Sequence, residues 1–279
     1  MPEALDGIGW VLWAGTLGLQ SPIEARLEAA AAGGFTRMSL SPLDVALAEK
    51  EGTTPEDLGR GLRDAGVDVV LDALMNWYAG EPPATSGFAA FTSDEALRMC
   101  EAVGAVSLTV LARPTCDVAV EEVAESFGTL CDRAADVGTK VQLEFMPMMA
   151  IKDLPSAWTI VQAADRPNGG LLFDTWHFFR GNPDFATLEE LPGERIFAVQ
   201  VSDGAAEIQG SIGQDTLNRR LPGDGCFDLA RVLRTLDRIG GLGWVGPEVI
   251  SPATEAMIPA EAARLAGNRV RDLIAQVRS

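Results

Sequence analysis

Histidine is almost missing: His177 is the only one in 279 residues, which excludes any site built from several imidazoles. Cysteine is scarce too. Cys100, Cys116, Cys131 and Cys226 show no CxxC spacing and have no histidine nearby, so neither a zinc module nor a disulfide framework is expected. Reduced, mostly structural thiols fit a cytoplasmic protein. Basic residues number 22 against 40 acidic ones, a net charge of −18. A surface that acidic repels phosphate backbones, so no nucleic-acid partner is expected. No stretch of about 18 uncharged apolar residues occurs. The opening MPEALDG has neither a basic n-region nor an apolar h-region, so neither export nor membrane spanning is expected. No GxGxxG follows the first strand pattern and no Walker A sequence appears, which removes the main support for dinucleotide and P-loop readings.

What is present is a regular alternation. The chain is 47% hydrophobic, enough to bury a large core. Apolar strand patterns cover residues 8–15, 35–42, 67–74, 106–114, 140–144, 170–174, 195–201 and 244–250. Helix patterns lie between and after them, at 22–33, 55–66, 93–103, 118–137, 154–164, 184–191, 228–239 and 259–277. Ser21-Pro22 reads as an N-cap followed by Pro at the first helical position. Loops are expected at 75–87 and 203–225. Eight strands strictly alternating with eight helices, with no break in composition, predict an α/β protein of one domain over 1–279, a single (β/α)8 TIM barrel.

The candidate chemistry centres on 140–177. Two apolar runs, 141–143 and 171–173, each deliver a carboxylate where the strand stops, Glu144 and Asp174. In a parallel barrel such strand ends carry the chemistry. RIFAVQVSDG brings Gln200 and Asp203 to the same rim, and WVGPEVISP brings Glu248. Each of Glu144, Asp174 and Glu248 is followed closely by Pro or an aromatic residue, so none reads as an N-cap. Carboxylates brought together raise one another's pKa unless a cation neutralises them. Glu144, Asp174, Gln200 and Glu248 offer oxygen ligands only, which suits Mn²⁺ or Mg²⁺ better than structural zinc.

His177, three residues past Asp174, is a candidate catalytic or substrate-contacting group. Arg219 and Arg220, beside the PGDG turn, can close on an anionic or hydroxylated ligand. Arg113 is a second anchor. Trp13, Trp77, Trp176, Phe145 and Met146 also fall at strand ends. They read as upper-barrel packing, or, for Trp13 and Trp176 in a pocket, as an apolar wall for a sugar ring or cyclic ketone.

The strand-end set, the D-x-x-H of FDTWH and the R-x-x-P-G-x-G of RRLPGDG together resemble the xylose-isomerase-like TIM barrel superfamily over nearly the whole chain. That group includes sugar phosphate isomerases and epimerases, inosose dehydratases and endonuclease IV nucleases. The resemblance implies that Glu144, Asp174 and Glu248 are metal ligands, His177 contacts substrate and Arg219 binds it. It departs at strand seven, where the family's histidine ligand is replaced by Gln200. The implied function is a divalent-metal-dependent isomerase or epimerase of a hydroxy-ketone, sugar-like or a cyclic polyol. Glu144 and Glu248 would move a proton through an enediolate. The alternatives are a lyase dehydrating a cyclic keto-polyol on the same metal site and a non-catalytic ligand-binding barrel. The expected partner is a small polyol or keto substrate, and members of the group often associate, which leaves room for a homo-oligomer.

Overall fold

The computed structural model describes residues 3–78, 90–114 and 118–279. Part of the expected 75–87 loop and Cys116 lie outside them. Eight strands follow the chain: β1 (Gly9–Leu12), β2 (Arg37–Leu40), β3 (Asp68–Leu74), β4 (Ser107–Leu111), β5 (Lys140–Glu144), β6 (Gly169–Asp174), β7 (Ile196–Val201) and β8 (Trp244–Pro247). They are ordered β1 to β8 in one closed parallel barrel, as the alternation predicts. The helices are α1 (Ile23–Gly33), α2 (Pro42–Lys50), α3 (Pro55–Asp64), α4 (Ser93–Val103), α5 (Val120–Asp136) and α6 (Leu154–Ala164), then α7 (Thr175–Arg180), α8 (Phe185–Glu190), α9 (Ile212–Asp215), α10 (Leu229–Arg238), α11 (Pro252–Glu255) and α12 (Pro259–Val277). No helix among the described residues is long and apolar enough to cross a membrane.

Local chemistry sets the element ends. Ser41 with Asp44, and Thr92 with Glu95, form reciprocal capping boxes at the starts of α2 and α4. Gly34 and Gly104, at φ 69° and 71°, close α1 and α4 in the left-handed conformation that glycine adopts without a Cβ clash. The first helix begins one residue later than Ser21-Pro22 predicts, with Pro22 itself in the cap position and no side-chain cap. Four helices have no counterpart in the sequence reading: α2, α7, α9 and α11. Three of them are single turns or little more, too short for a helical period to register. The last strand stops at Pro247, short of the expected 250.

Two compact units make up the chain, Met1–Met38 with Phe173–Ser279, and Ser39–Leu172. In the first, α12 packs along α1 and β8, and Phe35 fills the space opened by Gly33 and Gly267. There β8 runs against β1 with Trp10 opposite Val245, and a Cβ on Gly246 would collide with the Val11 carbonyl oxygen. In the second, β3, β4 and β5 pair in order and α5 packs on β5 and α6. Both faces of these strands are buried, as parallel strands require, with Leu108, Val110, Val141 and Leu143 on one face and the polar Thr109 and Gln142 between them on the other. Cys100 and Cys131 are buried and in no disulfide, and burial pushes the Cys100 thiol up to about 12.

A polar file crosses that apolar sheet. Gln142 donates to the Thr109 hydroxyl at 3.0 Å, and Thr109 in turn bonds the Asp72 carboxyl. Burial, only partly opposed by the Thr109 bond, pushes Asp72 from 3.8 up to about 6. A carboxyl whose folded value lies above its unfolded one stabilises the fold when protonated and gives that up as pH rises through the folded value. Asp72→Asn is therefore expected to gain stability relative to wild type as pH rises from about 4 to about 7. Urea melts across that range check it, and a difference independent of pH would refute it. In the first unit, Gly246→Ala is expected to lower stability by about 3 kcal/mol. Gly243→Ala, where a Cβ meets nothing within 4 Å, is the control for the same melts.

Candidate active site

Asp174 is the last residue of β6 and also the N-cap of α7. Its Oδ1 accepts from the backbone N–H of Trp176 at 2.6 Å and of His177 at 3.1 Å. This corrects the expectation that none of the strand-end acids is a cap: an aromatic run directly after the acid does not prevent a helical turn from starting there. The cap uses only one oxygen. Oδ2 accepts from Arg219 Nη1 at 2.7 Å.

The same Nη1 donates to Glu248 Oε2 at 2.9 Å and to the Glu248 backbone carbonyl at 3.1 Å. Glu248 stands just beyond β8, where its N–H donates to the Val201 carbonyl of β7 at 3.2 Å. The other terminal nitrogen, Nη2, lies 3.3 Å from His177 Nε2 and 3.3 Å from the Thr216 hydroxyl. Asp174, His177 and Arg219 are almost wholly buried, and Glu248 is 9% exposed. The guanidinium carbon stands 5.2 Å from the centroid of the Trp176 ring, which is itself fully buried.

The electrostatics follow from that packing. Burial works to raise the Asp174 carboxyl, but Arg219 first, then His177 and hydrogen bonding, more than offset it and hold Asp174 below the usual carboxylate value. His177 moves the opposite way from a solvated imidazole: burial, aided by Arg219 and opposed by Asp174, brings it down to about 4. It is neutral at pH 7. A guanidinium can only donate, so the 3.3 Å contact assigns the lone pair to Nε2 and the proton to Nδ1.

Arg219 arrives on the loop between β7 and α10. Asp203 organises that loop: Oδ1 accepts from the N–H groups of Gly204 and Phe227, and Oδ2 from those of Gly223 and Gly225. Its own N–H and carbonyl pair with Arg220, next to Arg219. A second buried carboxylate, Asp215, takes Arg180 Nε at 2.6 Å and the Gln209 N–H at 2.9 Å. The sequence reading placed Asp203 among the oxygen-bearing rim residues and gave Asp215, Arg180 and Thr216 no role. The signal for Asp203 was available in PGDG, whose closely spaced N–H groups need a common acceptor.

The remaining candidates fall as follows. Gln200 is buried on β7, opposite Gly246 of β8, and its Oε1 has no hydrogen-bond partner among the described residues. Trp13 is fully buried after β1, beside Gly246, with its indole N–H likewise without a partner. In the other unit, Glu144 ends β5 with its side chain buried, opposite Leu111 of β4 and Leu172 of β6. Arg113 lies over the Tyr78 ring at 4.3 Å and donates to the Tyr78 carbonyl at 3.0 Å. Met146 packs with Met149 against Ala73, Met75 and Leu111. Trp77 meets Phe127 edge to face at 5.9 Å, which is the packing reading.

Comparison with known proteins places this architecture. The chain is 27% identical to a 3-dehydroshikimate dehydratase of Pseudomonas aeruginosa over 86% of its own length but 38% of that protein's. It is 28% identical to an inosose isomerase of Bacillus subtilis over 53% of each. It thus spans only part of the length of these curated relatives. A crystal structure of the IolI protein with a zinc atom superposes with a TM-score of 0.84 at 21% identity, covering 96% of this chain and 99% of that one. An L-ribulose 3-epimerase superposes at 0.69 with 14% identity, over 96% of this chain and 95% of that one. The family model for the xylose isomerase-like TIM barrel matches residues 27–268, and the chain belongs to that family.

Proposed function

We propose that the protein is a divalent-metal-dependent enzyme that moves a proton at the carbon beside the carbonyl of a hydroxy-ketone, isomerising or epimerising it. The observation that carries this reading is the shared guanidinium: Asp174 and Glu248, both buried, converge on Arg219 Nη1 beside a neutral histidine. The names of the relatives, an inosose isomerase and a 3-dehydroshikimate dehydratase, fit a hydroxylated ketone as substrate.

The donor set fits a hard cation. Gln200 Oε1 is a buried oxygen with no partner among the described residues, and Asp174 and Glu248 add carboxylate oxygens. Glu144 completes the proposed set, since its β5 position is opposite Leu172, two residues before Asp174 on β6. Glu144, Asp174, Gln200 and Glu248 would hold the ion, with Mn²⁺ or Mg²⁺ favoured by oxygen-only ligation. When bound it supplies positive charge against the carbonyl and adjacent hydroxyl oxygens of the substrate.

The protein's own groups do the rest. Glu144 and Glu248 are the acid/base pair that takes the carbon-bound proton and returns it. Arg219 and His177 hold substrate oxygens, His177 donating from Nδ1 in its neutral form. Trp176 and Trp13 supply apolar surface to one face of the substrate, and the Trp13 indole N–H is a further donor. A dehydratase is the second reading, favoured by the match to the Pseudomonas enzyme over 86% of this chain. The same proton abstraction is then followed by loss of hydroxide from the next carbon.

Incubating the protein with Mn²⁺ and a panel of ketoses and keto-inositols in D₂O tests this. Deuterium at the carbon beside the carbonyl is expected, and loss of one water distinguishes the dehydratase from the isomerase. Glu144→Gln and Glu248→Gln are each expected to lower turnover by about 100-fold or more with the fold intact by circular dichroism. Wild-type rates in both variants would overturn the assignment.

A further inference from the structure

We propose that Arg219 Nη1 is the resident cation of this site when no divalent ion is bound, and that the ion loads by displacing it. The inference rests on the metal-site reading above. Three oxygens surround one nitrogen: Asp174 Oδ2 at 2.7 Å, Glu248 Oε2 at 2.9 Å and the Glu248 carbonyl at 3.1 Å. A guanidinium Nη carries two hydrogens, so three acceptors around it solvate a charge rather than pair bond for bond. Hard cations take such oxygens at 2.0–2.6 Å, so a contraction of about 0.5 Å turns this cage into a coordination shell. Two positive charges cannot share its centre.

The surroundings are arranged for exchange. Gln200 Oε1 is buried and without a partner among the described residues, on the strand that pairs with β8 just before Glu248. It is an oxygen that the guanidinium leaves unused and an incoming ion takes up. Arg219 also keeps anchors that displacement of Nη1 does not break. Its backbone N–H donates to the Ile250 carbonyl at 3.0 Å, and Nη2 reaches the Thr216 hydroxyl at 3.3 Å. Only the tip of the side chain has to turn. Loading therefore releases Nη1 from two carboxylates and makes it available to an oxygen of the substrate, so that ion binding and the readiness of the substrate-binding arginine are one event.

Calorimetric titration of chelator-stripped protein with Mn²⁺ tests this in wild type, Arg219→Met and Arg219→Lys. With the competing charge gone, Arg219→Met is expected to bind Mn²⁺ about tenfold tighter or more, the scale on which a neighbouring charge biases a carboxylate. Arg219→Lys, which keeps the charge, is expected to stay near wild type. The metal-free Arg219→Met protein is also expected to melt lower than metal-free wild type and to recover more of its melting temperature on adding Mn²⁺. Equal or weaker Mn²⁺ binding by Arg219→Met, beside a wild type that binds, overturns displacement and leaves the metal reading standing. No binding by either protein overturns both. Wild type gives a readout that needs no folded Met variant. The guanidinium carbon is 5.2 Å from the Trp176 ring, so Mg²⁺ loading is expected to change tryptophan fluorescence, and Trp176→Phe to abolish the change. Mg²⁺ binding with unchanged fluorescence overturns the proposal.

Discussion

A single guanidinium keeps Asp174 and Glu248 together in a place where Asp174 is fully buried and Glu248 only 9% exposed. Taking each charge out of water costs several kcal/mol, and one positive charge does not cancel two negative ones. The site is tolerable because the remaining lone pairs are used: Asp174 Oδ1 by two backbone N–H groups and Oδ2 by Arg219. What is left is a buried cluster with excess negative charge, which by itself favours another cation. Lysine would keep the charge but not the geometry. The guanidinium presents one nitrogen to the acids while its other reaches His177 and Thr216, a fork that an ammonium on a flexible stem does not provide.

The fold supplies this arrangement by making single residues do two jobs. Asp174 ends a strand, starts a helix and binds Arg219, so the orientation of its second oxygen is fixed by the first turn of α7. The helix it starts also positions Trp176 and His177, three residues of chemistry set by one cap. Arg219 depends on a loop with little regular structure, and there Asp203 takes the place of a secondary-structure ladder, collecting four backbone N–H groups on one carboxylate. Gly225 is required at that point because its Cα sits against the Asp203 carboxylate, where any side chain would intrude.

The barrel was legible in the sequence because its signal is repeated eight times, so an error of one residue at one end, as at α1, or of three, as at β8, does not alter the pattern. The acids were legible because a charge directly after a buried apolar run is conspicuous. Less visible was what each acid does with its second oxygen. Asp174 and Asp203 look alike in sequence, DTW and SDG, yet one faces a guanidinium and the other only backbone N–H groups. That difference is decided by residues 20 to 50 positions away, at Gly223 and Arg219, and no local period reports it. Arg113 shows the same limit: its position after β4 suggested a ligand anchor, and nothing local in the sequence announced the Tyr78 ring beneath its guanidinium.

Gln200 gives the proposed site its particular character. An amide oxygen does not protonate in the working range, so retention of a cation at that ligand does not depend on an imidazole losing its proton. His177 shows what this burial does to an imidazole, driving it down to about 4 and leaving it neutral. The amide oxygen is also the weaker donor to a transition metal, which shifts the burden of holding an ion onto the carboxylates. Their net charge is then the controlling quantity, and Arg219 offsets both Asp174 and Glu248 directly. A site so balanced favours a hard ion held by charge over a soft one held by ligand strength. In the proposed reaction it would also accommodate the negative charge that a ketone develops when a neighbouring proton is removed, because the same arginine could turn from the acids to that oxygen.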